Sequence, residues 1–198
     1  MPVAKLAHYP RAVASGARCK ITDDMDDSRL LQQLADRTGV IDTVLRAARA
    51  MDVQDWPALR ACLAATLDVD YSDLRGDPPS TIAADAYVAA RITGLAGLRT
   101  QHISTNHLVT IEGDRAECAS CFLIHRLNPA APAGDDTFDT AGHYVHRLAR
   151  TAGGWRIDGI VQTVLWNRGN PQIHGALRRP KLTGGGLDGP LRPSPKDE

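Results

Sequence analysis

The chain has 198 residues, 43% of them hydrophobic, with 23 Lys+Arg balanced by 23 Asp+Glu for a formal net charge of zero. One well-buried core fits this length and two comfortable domains do not, while the balanced charge removes the electrostatic reason to expect a nucleic-acid or anionic-membrane partner. No apolar stretch approaches the roughly 18 residues of a membrane span, and the first sixteen residues lack a secretory h-region, so the composition predicts a soluble, cytoplasmic protein.

Residues 1–27 end in the acidic cluster Asp23, Asp24, Asp26 and Asp27 and are expected to form a flexible leader. Three helices follow. Residues 28–35 place Leu30, Leu31 and Leu34 at helical spacing, Gly39 breaks the chain, and 40–52 repeats the pattern through Ile41, Leu45 and Ala48. Asp55 is placed to cap a helix over 56–64 with Pro57 in its first turn. Residues 67–71 read as a short strand and Asp77-Pro78-Pro79-Ser80 as a turn, with Ser80 capping a longer helix over 81–97.

From there the period changes to two. Segments 99–112, 115–127, 140–151 and 154–167 read as long strands, joined by tight turns at Glu112-Gly113-Asp114 and Ala152-Gly153-Gly154 and by a longer loop over 129–139. Helices followed by an antiparallel meander define an α+β domain over 28–175, with helices laid against one face of a curved sheet. The Gly/Pro-rich end, 176–198, is expected to be a flexible tail, and its Gly184–Gly186 run follows no strand and is no phosphate loop.

The four cysteines give no metal or redox motif. Cys118 and Cys121 lie three apart on a strand, so their thiols point to opposite faces, and no second CxxC completes a zinc site. His125, His143, His146 and His174 show no ligand-like spacing on one face. Neither a metal nor an organic cofactor is expected.

Asp52 is the most informative residue. At 100° per residue from Ile41, Leu45 falls at about 40°, Ala48 at about 340° and Asp52 at about 20°, so the carboxylate lies in the apolar stripe. It also stands at the helix C-terminus, where the dipole disfavours a negative charge. Either it is buried with a partner, or the helix ends one residue early and Asp52 sits in a turn. His102, at the start of the first long strand, is the natural partner. A histidine held by a carboxylate has one ring nitrogen fixed as donor and the other free as a base, although a lone strand histidine is more often a satisfied core residue. His102, Ser104 and Asn106 share one strand face, with His107 on the other. Tyr71, Tyr144 and Ser120, with Phe122 beside it, are further candidates to face the same cavity.

The ordered set Asp52-Val53-Gln54-Asp55-Trp56, Asp70-Tyr71, Thr100-Gln101-His102 and Gly153-Gly154-Trp155-Arg156-Ile157 resembles the SnoaL-like branch of the nuclear transport factor 2-like superfamily, and within it the scytalone dehydratases. The resemblance covers roughly residues 30–166. It implies a cone: a curved sheet wrapped around N-terminal helices, enclosing a hydrophobic pocket. It also implies an Asp52–His102 acid–base dyad, with Tyr71 serving the substrate; Tyr144, Ser120, Asn106, Phe122 and Trp56 are expected around that substrate. Several positions depart from the dehydratases: Met51 stands where they carry a second Tyr, Ser120 where they carry a second His, and Tyr144 where they carry an Asn. Ala47 and Ile160 replace the Lys and Arg of the related dehydrochlorinases, which argues against halide elimination.

The expected activity is therefore a cofactor-independent lyase or isomerase of the dehydratase type, acting on a small hydrophobic cyclic, polyketide-like or steroid-like molecule. The alternatives are a ligand-binding module without chemistry, a polyketide cyclase and an epoxide hydrolase. The resemblance further implies a homodimer or homotrimer.

Overall fold

A computed structural model describes residues 27–132 and 134–173. The expected leader up to residue 26, the tail and His174 lie outside the described residues. The chain divides after Leu34: the first unit contributes residues 27–34, the opening turns of a helix, and the second, from Ala35 on, holds the sheet and the core.

That helix, α1 (Asp27–Asp52), is continuous, where the sequence predicts two helices broken at Gly39. Gly39 is a packing residue instead: a Cβ there would stand 3.2 Å from Cδ1 of Trp155. Gly in a helix interior is worth about 1 kcal/mol less than Ala, and here the missing side chain makes room for the indole. The buried face runs through Val40, Thr43, Val44, Ala47 and Ala50, while Leu45 is 40% exposed. The inward stripe is thus rotated from the predicted one, because small residues allow close approach and the Thr43 hydroxyl is satisfied by the carbonyl of Gly39 at 2.8 Å. Asp52 consequently stands on the flank of the buried face.

Helix α2 (Trp56–Ala61) is capped by Asp55, whose carboxylate accepts from the Ala58 N–H at 3.0 Å. It ends earlier than predicted because the chain turns at Cys62 into β1 (Leu63–Asp70). A short α3 (Ser72–Arg75) ends on Gly76 at φ 78, the left-handed conformation glycine adopts without strain. Residues 80–83 correct a second expectation: they form β2 (Ser80–Ala83), and α4 (Ala84–Leu95) starts only afterwards. The β-branched Thr81 and Ile82 extend along the open edge of β1, where the Thr81 hydroxyl donates to Asp68 at 2.6 Å.

The meander consists of β3 (Arg99–Glu112), β4 (Arg115–Leu127), β5 (Thr137–Thr151) and β6 (Gly154–Gly169). All four pair antiparallel, and the full sheet order is β2-β1-β6-β5-β4-β3. The sheet is mixed, because β1 joins β6 in parallel; the sequence predicted antiparallel pairing alone. Register shifts within the β3/β4 and β5/β6 pairs bend the strands, so that the sheet curves and stays open. Gly142 sits at one of these shifts, where a Cβ would fall 2.0 Å from the Thr163 carbonyl oxygen. Leu59, Leu67, Leu148 and Ile157, all at most 1% exposed, form the centre of the core with Val40.

One polar cluster docks α1 on the β5–β6 hairpin. Asp36 makes a two-pronged ion pair with Arg150, the Nη2–Oδ2 contact being 2.8 Å, and accepts from the Trp155 indole N–H at 3.3 Å. The Arg150 guanidinium in turn lies 4.3 Å over the Trp155 ring. Removing the acceptor strands the buried indole N–H and leaves Arg150 with Asp114 alone, at 3.0 Å from its Nε. Asp36→Ala is expected to lower unfolding stability by about 2 kcal/mol, seen as a reduced urea midpoint with an unchanged slope.

Candidate functional site

The end of α1 and the start of β3 meet at one carboxylate. Asp52 Oδ1 lies 2.5 Å from His102 Nδ1 and accepts from the Thr100 hydroxyl at 3.0 Å, while Oδ2 accepts from the His102 backbone N–H at 2.8 Å. The turn beyond is held by Gln54, at φ 56, whose side-chain amide donates to the carbonyls of Leu95 and Leu98 at 3.3 Å each.

Burial pushes the Asp52 carboxyl upward. The side-chain and backbone hydrogen bonds from His102, its charge, and the Thr100 hydroxyl outweigh that push and hold it below its ordinary 3.8. A depressed carboxylate contributes stability at neutral pH that is lost only as pH falls through its folded value. Asp52 is therefore an ionised acceptor, His102 Nδ1 is the donor, and Nε2 is left to the cavity that His102 lines.

That cavity encloses about 510 Å³ of non-atom space, counting its solvent-open mouth. Val44, Ala47, Leu59, Phe122, Ile157 and Ile160 supply its apolar wall. Its polar groups are His102, Ser104, Tyr71, Tyr87, Tyr144 and His146. The Tyr71 and Tyr87 hydroxyls are 2.9 Å apart, and the Gln162 amide donates to the Tyr144 hydroxyl at 2.6 Å. Burial drives the phenols of Tyr71 and Tyr144 well above their ordinary 10, with Tyr87 adding to the push, so both are neutral hydrogen-bonding groups. A second cavity, of about 400 Å³ on the same measure, shares Met51, Tyr71, Tyr87, His102 and Tyr144 with the first. Arg75, Arg91, Arg126 and Gln162 also line it.

Asp52, His102, Tyr71, Tyr144 and Phe122 are thus gathered at one place, Asp52 standing behind His102. Asn106, Ser120 and Trp56 are not part of the lining. Asn106 is exposed at φ 56 because the register of β3 shifts between Thr105 and Leu108. The shift reverses the facing: His107 turns to the inner side, its Nε2 2.9 Å from the Ser104 hydroxyl, and Leu108 is 64% exposed. Ser120 is buried at 4% exposure, with the wall at its level of the sheet made by Phe122 and Tyr144, whose ring centroids are 4.4 Å apart. Trp56 packs against the core cluster from the start of α2.

Sequence reasoning passed over Tyr87, His146 and the three arginines. Two of them carry a signal in hindsight: His146 shares the inward phase of Tyr144 on β5, and Arg126 that of Phe122 and Ile124 on β4. His146 is 9% exposed, and its Nδ1 has no hydrogen-bond partner among the described residues.

The SnoaL-like domain family profile matches residues 32–160. Over 131 residues the chain is 28% identical to the scytalone dehydratase-like protein claB of Passalora fulva, covering 60% of this chain and 78% of that one. Among solved structures, the Kfla4162 protein of Kribbella flavida is 28% identical with a TM-score of 0.68, covering 73% of this chain and 98% of that one. A protein of Novosphingobium aromaticivorans, provisionally called a scytalone dehydratase, superposes with a TM-score of 0.59 at 14% identity, covering 72% and 89%; at that identity the likeness concerns the fold.

The buried His146 makes a pH-dependent prediction. Burial, and secondarily the charge of His107, push it down from 6.5 to about 4. Between those values the unfolded chain binds a proton that the folded chain does not, so the contribution is complete above pH 6.5 and falls as pH drops toward 4. His146→Leu is expected to retain about 2 kcal/mol more of its neutral-pH stability than the parent at about pH 5, read as the pH dependence of the urea midpoint.

Proposed function

Because the chain belongs to the SnoaL-like domain family, with its nuclear transport factor 2-like fold, we propose that it is a cofactor-independent lyase or isomerase of the dehydratase type with His102 as its base. The observation that carries this reading is the Asp52–His102 hydrogen bond beneath a cavity of mixed polarity. Nε2 of His102 removes a proton from the carbon next to a substrate carbonyl, and the ionised Asp52 stabilises the imidazolium that forms. The electron pair left by the C–H bond becomes a C=C bond as the β-hydroxyl departs. The proton held on His102 passes to that hydroxyl, and water leaves. In an isomerisation the same proton returns to a different carbon.

Tyr71 and Tyr144 are the neutral donors for the carbonyl, because a phenol kept protonated can donate where charge develops. The apolar wall excludes water and favours a small hydrophobic, cyclic body. The likeness to a relative named as scytalone dehydratase-like supports dehydration over cyclisation or hydrolysis.

A panel of cyclic β-hydroxy ketones, followed by the absorbance of the conjugated enone, tests this. The parent protein is expected to form the enone, and His102→Ala to lose about 10²–10⁴-fold in kcat with unchanged circular dichroism. Asp52→Asn is expected to lose activity in the same direction, since the amide neither fixes the donor tautomer nor balances the imidazolium. Equal turnover by His102→Ala would remove His102 from the chemistry. Tight binding of substrate that stays intact would mark a ligand-binding module instead.

A further inference from the structure

The second cavity joins three guanidinium groups from three separate elements: Arg75 from the end of α3, Arg91 from α4 and Arg126 from β4. None is balanced. Among the described residues, no carboxylate lies within ion-pair distance of any of the three, and no acidic residue lines the cavity. The carboxylate whose field reaches Arg126 is that of Asp139, and it is engaged with His125 at 2.9 Å. Asp70 and Asp73, near Arg75 in the chain, accept from the backbone N–H groups of Ser72 and Val164.

The arrangement is built rather than loose. Arg126 is only 4% exposed and is fixed by its Nη1 donating to the Thr140 hydroxyl at 2.9 Å and the Phe138 carbonyl at 3.5 Å. Arg91 stacks over Tyr87 and Tyr71 with its Cζ 4.5 and 5.1 Å from the ring centroids, and Arg75 over Tyr71 at 4.9 Å. The Nε atoms of all three arginines are buried and have no hydrogen-bond partner among the described residues. Stacking on aromatic faces orients a guanidinium and neutralises none of its charge, so three neighbouring cations are held in a partly dry site. Burial, together with the neighbouring Arg91 and Arg75, pulls Arg126 down to about 10, against the opposing pull of Tyr144 and Asp139. An arriving anion relieves that repulsion and meets planar forks suited to two-oxygen acceptors.

We propose that the arginine end of this cavity binds an oxyanion carried by the substrate itself, a carboxylate or a phosphate. His102 lies at the junction of the two cavities, so the substrate is an amphiphile: its hydrophobic body fills the apolar wall, its anionic head sits among Arg75, Arg91 and Arg126, and the reacting carbon lies between them. This names the substrate class for the reading of His102 as a base. It stands on different side chains and is tested by binding alone.

The test is calorimetric titration of the full chain with 2-naphthoate, 2-naphthyl phosphate, the neutral 2-naphthylmethanol and inorganic phosphate. One or both anionic aryl ligands are expected to bind about tenfold or more tightly than the alcohol, and whichever binds tighter identifies the head group. Arg91→Gln and Arg75→Gln, verified as folded by circular dichroism, are expected to abolish that preference while leaving the affinity for the alcohol in place. His102→Ala is expected to keep the preference, so failure of the catalytic reading leaves this result standing. Equal affinity for acid, phosphate and alcohol, or a preference that survives in the Arg75→Gln/Arg91→Gln double variant, would overturn the proposal. Inorganic phosphate binding as tightly as the aryl anions would also overturn it, because the head would then be a free ion.

Discussion

One carboxylate joins the helical layer to the sheet and sets the chemistry of the cavity. Asp52 closes α1, where the helix dipole opposes a negative charge by about 0.3–1 kcal/mol. Three donors from the first four residues of β3 offset this, two from His102 and one from Thr100, and none of them is a lysine or arginine. A strong cation would have neutralised the carboxylate permanently. An imidazole keeps its second ring nitrogen clear of the carboxylate, so the bond that anchors the strand to the helix also leaves that nitrogen to the cavity, where the proposed chemistry uses it as a base.

Around that base the cavity is divided by polarity. On one side lie aliphatic and aromatic side chains from α1, α2 and the sheet; on the other lie three cations, Arg75 and Arg91 stacked on tyrosines and Arg126 held by Thr140 and Phe138. The tyrosines belong to both sides, and their rings present apolar faces to the arginines while their hydroxyls form short bonds with one another and with Gln162. The amphiphile proposed above is held in one orientation, because reversing it would place an apolar body among the guanidinium groups. Such positioning is what an acid–base pair needs for rate, since the base itself supplies only part of the acceleration.

The meander was the most legible part of the fold. Residues 115–127 alternate strictly and 99–112 and 154–167 alternate over part of their length, all are punctuated by glycine turns, and the observed strands follow those limits closely. Pairings between distant segments leave no such trace, and the parallel contact of β1 with β6 is of that kind. Gly39 was misread because its helical cost is offset by a residue more than a hundred positions away, Trp155. The partner of Asp52 was legible from chemistry, although the helical wheel put the carboxylate in the centre of the buried face and it lies on the flank. Asn106 and His107 exchanged sides because a single bulge reverses every side chain beyond it, and periodicity carries no mark of where a bulge falls. The arginines were hidden differently: a long cationic side chain reads as surface until the burial of its neighbours is known, and Arg126 alone betrayed itself by its inward phase.

A base at His102 requires that Nδ1, and not Nε2, carry the proton in the resting protein. Nitrogen-15 NMR of the histidine side chains at about pH 8, assigned with the His102→Ala variant, measures this directly. A strongly deshielded proton on Nδ1 of His102, with Nε2 at the shift of an unprotonated imidazole nitrogen, and loss of that pattern in Asp52→Asn, is the predicted result. An Nε2–H tautomer, or an Nδ1–H signal indifferent to Asp52→Asn, would contradict it.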